Sequence, residues 1–233
     1  MRSADRPVRP HPGPGEAPRD GEQAAAEFAV VRAAFQAGLD DQAALRAEFS
    51  FEDVPAPKKL APFAAATSAS VARDDADIAF GRLVLLYDPV GHDGWPGCYR
   101  LISYVRAEVD EEIAADPMLC QVGWDWLIEA LDARTPGYAT PSGTVTRVTT
   151  EGFGGKASEP PVYGFEQRAS WSPVIPATAP AENPDDPAAL DLAGHVMAWC
   201  DSLAAAAGLP PLAAGTAALP SGRPEGARSR RRR

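Results

Sequence analysis

The loop Asp88 to Gly97 places His92 and Asp93 beside Trp95, an imidazole and a carboxylate that could share a proton. Residues adjacent in sequence usually point apart, and no Ser or Cys stands nearby as a recognisable nucleophile, so the plainer reading is a surface turn shaped by Gly and Pro. In that reading Trp95 plugs the edge of the core. A second candidate is Glu151-Gly152-Phe153-Gly154-Gly155-Lys156, where glycines could let backbone N–H groups approach an anion. Its spacing fails the phosphate-loop pattern, which needs Ser or Thr after Gly-Lys, whereas Ala157 follows here. A connection between strands that needs positive φ explains these glycines better.

The third candidate is cationic. Arg100 and Arg106 are even positions of one strand, and Arg147 and Arg168 fall in strands expected in the same sheet. On one open face they would form a patch for an acidic peptide or an anionic ligand. The alternative is that each pairs with a neighbouring carboxylate such as Glu166 or Glu108, and only the strand register can decide. Metal chemistry has little support, because His11, His92 and His195 are scattered and His195 and Cys200 stand five apart on one helix. Asp125, Glu129 and Asp132 read as the solvated stripe of a helix. Nothing in the pattern calls for a cofactor.

Composition narrows the class of protein. The chain has 233 residues, 45% of them hydrophobic, enough for one core and hence one domain. Cys98, Cys120 and Cys200 are odd in number and far apart, which suggests reduced thiols in a cytoplasmic protein. The first residues lack the apolar run of a signal peptide, and no stretch reaches the ~18 apolar residues of a membrane span. Residues 223–233 carry six Arg and one Glu (+5), and residues 1–21 carry four Arg and three acids (+1). The total of −10 therefore leaves −16 on the body. Such a body repels nucleic acid over a Debye length of about 8 Å, so only the Arg-rich end could attract RNA.

The elements that must position these residues follow from periodicity. Residues 1–21, rich in Pro, Gly and charge, read as disordered. Phe28, Val31, Phe35 and Leu39 share a helical face, with Gly38 placed to end that helix near Ala37. Leu45 to Phe51 alternate as a strand; Val71 to Arg73, a turn at Asp74-Asp75, and Ile78 to Tyr87 read as strand, turn and long strand; Tyr99 to Ala107 follows. Asp116-Pro117 opens a helix with Leu119, Val122, Trp126 and Ala130 on its apolar side. Gly143 to Thr150 and Tyr163 to Trp171 form a hairpin, and Asp186-Pro187 opens a last helix capped by Gly208. The expected fold is α+β: an antiparallel sheet of five to six strands covered by about three helices. It forms one domain over 22–220, followed by a disordered Arg-rich tail over 221–233.

The strings GRLVLLYDPVGHDGWPGCYRLISYVRAEVDEEIAADPML, QVGWDWLIEAL, SGTVTRVT, EGFGG, RASWSP and HVMAWCDSLAAAAGLPPL resemble the actinobacterial family known as domain of unknown function 3000, over about residues 25 to 220. The resemblance implies no activity, ligand or catalytic residue. With no nucleophile, metal set or phosphate loop, the leading expectation is a non-enzymatic binding or regulatory module for a protein partner, acting through the sheet face or the Trp95 loop. One alternative is an enzyme in which His92, Asp93 and Glu151 converge on one pocket. The other is an RNA-associated protein acting through its Arg-rich end.

Overall fold

The computed structural model describes residues 21–74, 76–175 and 187–212. The expected N-terminal tail, the Asp186 cap, His11 and the Arg-rich end lie outside the described residues. The described elements, in chain order, are α1 (Gly21–Leu45), β1 (Phe49–Asp53), β2 (Phe63–Arg73), β3 (Ala76–Tyr87), β4 (Tyr99–Glu108), α2 (Glu111–Ala115), α3 (Leu119–Arg134), β5 (Tyr138–Thr150), β6 (Val162–Pro173) and α4 (Leu192–Ala206). The strands form one antiparallel sheet in the order β1-β2-β3-β4-β6-β5. The fold is the expected α+β class.

Alternation along the strands divides the sheet into two unlike faces. Odd-numbered residues, among them Leu83, Leu85, Leu101, Val105, Phe165, Ala169 and Trp171, are buried in the main core with Val31, Phe35 and Leu39 of α1, Leu127 and Leu131 of α3, and much of α4. Even-numbered residues point the other way. Half of that second face carries a satellite core of Ala66, Val84 and Leu86, against which Val54, Ala56, Ala61, Trp95 and Ile102 pack. Trp95 therefore plugs an edge, but on the side of the sheet away from the helices. Among the described residues the other half, around Phe80, Tyr104 and Arg106, has no such cover.

Several boundaries correct the sequence reading. Gly38 does not end α1, which continues to Leu45 and leaves the first strand to begin at Phe49. A Cβ at position 38 would lie 2.9 Å from the Cα of Ala193, so the glycine lets α1 and α4 approach closely. The Asp116-Pro117 pair caps less directly than expected: Asp116 Oδ1 accepts from the Met118 N–H at 2.8 Å, α3 starts at Leu119, and the short α2 precedes it. Val122, expected on the buried side of α3, is 38% exposed. The last helix is capped by Asp191, whose Oδ1 accepts from the Gly194 N–H at 3.1 Å, while Pro187–Leu190 form a 3₁₀ turn. Gly208, at φ +66°, does follow its end.

Candidate functional site

The long β3 and β4 strands carry the chain into and out of the 88–97 loop, and Asp88 fixes the start of that loop. Its backbone N–H bonds to the Cys98 carbonyl at 2.9 Å, and its Oδ1 accepts from the Val90 N–H at 3.1 Å. Gly91, Gly94 and Gly97 all adopt φ near +84°, a region open to glycine at little cost. The turn returns Trp95 over the sheet, where His92 stacks on it with ring centroids 4.6 Å apart and planes 22° from parallel. The His92 Nδ1–H donates to the Asp93 carbonyl at 2.8 Å.

Beneath this loop lies a cleft of about 350 Å³ lined by His92, Asp93, Gly94, Trp95, Arg100 and Ser170, with Leu60, Leu86 and Ile102 as its apolar wall. Four of the eight residues singled out from sequence, His92, Asp93, Trp95 and Arg100, thus share one cavity. His92 and Asp93 are exposed at its rim, and Arg100 is only 8% exposed.

Arg100 is held by neutral acceptors. Its Nη1 donates to Thr140 Oγ1 at 2.8 Å and Ser172 Oγ at 3.5 Å. Its Nη2 donates to Ser170 Oγ at 2.7 Å, the Ser170 carbonyl at 3.2 Å and Ser142 Oγ at 3.4 Å. Among the described residues no carboxylate pairs with it. Burial draws the guanidinium pKa below its ordinary value, the direction expected when a charge loses water without gaining a counter-charge. The hydroxyl set depends on an irregularity in β5: pairing with β6 shifts between Ala139 and Ser142, and Thr140 sits at φ 45°. The sequence reading, which began that strand at Gly143, missed Thr140, Ser142, Ser170 and Ser172. The shared parity of Ser170 and Ser172 with Arg168 was their one visible signal.

The other candidates separate. Arg106 lies opposite Glu166 and Phe80, and Arg168 lies opposite Tyr104, on the same helix-free face as Arg100. The Arg168 guanidinium sits 5.6 Å above the Tyr104 ring and 3.6 Å from Glu166, so a neighbouring carboxylate does pair with this arginine. Burial, then Glu166, raise the Tyr104 phenol above its ordinary pKa. Arg147 has the opposite parity. It pairs with Phe165 in register, faces the helices, and donates from Nη1 to the carbonyls of Asp116 at 3.2 Å and Ala114 at 3.4 Å. The four arginines therefore do not form one patch.

Glu151 is also elsewhere. It follows Thr150, the last residue of β5, eleven residues beyond the Arg100 partner Thr140, and at ~3.3 Å per residue that is about 35 Å along the sheet from it, at the end away from the 88–97 loop. A site joining the 88–97 loop to the 151–155 turn is excluded by this geometry. In the turn, Gly154 takes φ +62° and Lys156 pairs with Glu159 at 3.7 Å. Among the described residues no group of three His, Cys, Asp or Glu is placed to hold a metal ion, and no helix is long and apolar enough to cross a membrane.

Neither a curated protein nor a solved structure matches the chain. A family model does, over residues 27–216, a span that runs from α1 past α4 and includes the cleft, the arginines and both faces of the sheet. The chain belongs to the family described as protein of unknown function, DUF3000.

Proposed function

We propose that this chain is a non-enzymatic module that works in the cytoplasm and binds a segment of another protein across the uncovered half of its sheet. The observation that carries this reading is the clustering of aromatic and cationic side chains there. Phe80, 40% exposed, packs beside Tyr104 at a centroid distance of 6.4 Å, with Arg106 and Arg168 next to them. Aromatic residues and arginine concentrate in protein interfaces because they combine large contact area with donors that reach carboxylates and carbonyls. The segment recognised is therefore one that mixes apolar and acidic side chains. The net −16 of the body works against nucleic acid as the occupant. The thiols of Cys98, Cys120 and Cys200 support a reducing compartment.

The test is a photo-crosslinking amino acid at position 80 in the source cells, compared with one at Glu129 on α3. A polypeptide captured reproducibly from position 80, absent from position 129 and lost in the double variant R106E/R168E, is the expected result. Capture from neither site, or equal capture from both, defeats the reading.

A further inference from the structure

The cleft under the 88–97 loop is distinct from the Phe80 and Tyr104 surface, and its chemistry is different. Arg100, 8% exposed as a residue, has its guanidinium surrounded by hydroxyl and carbonyl oxygens, which orient its N–H groups but leave its charge uncancelled. Buried charges in proteins are normally paired, so this arrangement suits a counter-charge supplied from outside. The Nε–H has no acceptor among the described residues and is not sealed from solvent. The acid that lines the cleft, Asp93, is exposed at the rim, where water screens it far more than it screens Arg100. The rest of the wall is apolar and aromatic: Leu60, Leu86, Ile102 and the indole of Trp95.

We propose that this cleft binds a small organic anion, its carboxylate or phosphate oxygens on Arg100 and Ser170 and its apolar body against Trp95, Leu86 and Ile102. The size fits, since about 350 Å³ lies at the lower end of the ~300–1,000 Å³ range of small-molecule pockets. The site also has the usual construction of such pockets, a mostly apolar wall with a few fixed polar groups. Its polar set is anchored on β4, β5 and β6, so the donors stand in place before a ligand arrives. The same hydrogen bonds also hold the β5 irregularity. A purely structural arginine would need no ligand, and the experiment separates the two roles.

The full chain, labelled with ¹⁵N, is titrated with 2-naphthoate, phenyl phosphate and the uncharged isostere 2-naphthamide, followed by amide shifts. The expected result is saturable binding of at least one anion at about 1 mM or tighter, with shifts centred on residues 92–102 and 170. Naphthamide should bind at least about tenfold more weakly than naphthoate if a carboxylate is preferred. The better of the two anions then identifies the headgroup. R100Q should lose at least about tenfold in affinity, and W95A, which leaves every Arg100 hydrogen bond in place, should weaken binding while keeping the anion preference. No saturation by either anion up to about 10 mM overturns the proposal. So do shifts centred elsewhere, or a folded R100Q that binds as the wild type does. If R100Q does not fold, a naphthamide affinity matching the anions overturns it, and a clear anion preference with loss in W95A sustains it. Crosslinking from position 80 is unaffected by either outcome.

Discussion

The indole Nε1–H of Trp171 donates to Nδ1 of His195 across 3.1 Å, joining β6 to α4 in the middle of the main core, and both residues are fully buried. Accepting at Nδ1 requires an uncharged ring with its proton on Nε2, and Nε2 has no partner among the described residues. Burial pushes the His195 pKa down from 6.5 to about 3. The unfolded chain therefore binds a proton between these values that the folded chain refuses. Stability from this residue is present above pH 6.5 and is lost as pH falls toward 3. At pH 5 the loss is about 2 kcal/mol. Urea unfolding of wild type and H195Q at pH 7.5 and pH 5 should show the wild type losing about 2 kcal/mol more than the variant over that interval.

Gly38 gives a prediction opposite in sign to helix propensity. On an exposed helix surface, glycine to alanine stabilises by about 1 kcal/mol. Here the added methyl meets Ala193 and Val196 of α4 at 2.9 to 3.1 Å. G38A should destabilise by about 1–3 kcal/mol, measured as a fall in the denaturation midpoint with unchanged slope.

Gln167 is a buried polar connector. Its Nε2 donates to the Gly123 carbonyl at 2.7 Å, and its Oε1 accepts from Ser202 Oγ at 3.3 Å, so one β6 side chain ties α3 to α4. Q167L keeps the bulk and removes both bonds. It should cost about 1–3 kcal/mol, with S202A alone costing less, since the amide then still reaches α3. Equilibrium denaturation of both variants checks the order.

The cysteines should differ in reactivity. Cys200 is fully buried and its thiol pKa is raised, first by burial and then by Asp201, whereas Cys120 is partly exposed on α3. A thiol reagent at pH 8 should modify Cys120 quickly in the native protein and reach Cys98 and Cys200 only after unfolding.

The strands β3, β4 and β6 were legible because their alternation is strong and local, whereas the insertion of β6 between β4 and β5 was not. The even parity of Arg100 and Arg106 needed nothing else. Arg147 was different: its face depends on which residue it opposes in β6, information that arises only when strands pair. The start of β5 was hidden by Pro141, which argues against a strand unless it sits at an irregularity on a sheet edge, as it does here. Gly38 misled for a similar reason, since a glycine that ends a helix and one that admits a neighbouring helix look alike in sequence. The cleft was half visible. His92, Asp93 and Trp95 are contiguous, but the hydroxyls around Arg100 come from strands 40 to 72 positions away.

The packing of α1 on α4 also sets a clock for synthesis. Gly38 and Ala193 are separated by 155 positions in the chain. At ~5–20 residues per second, the apolar stripe of Val31, Phe35 and Leu39 leaves the ribosome roughly 8 to 30 seconds before the helix that covers it exists. During that interval the first helix is a natural client for chaperones, and its seat against α4 forms only once α4 has been made.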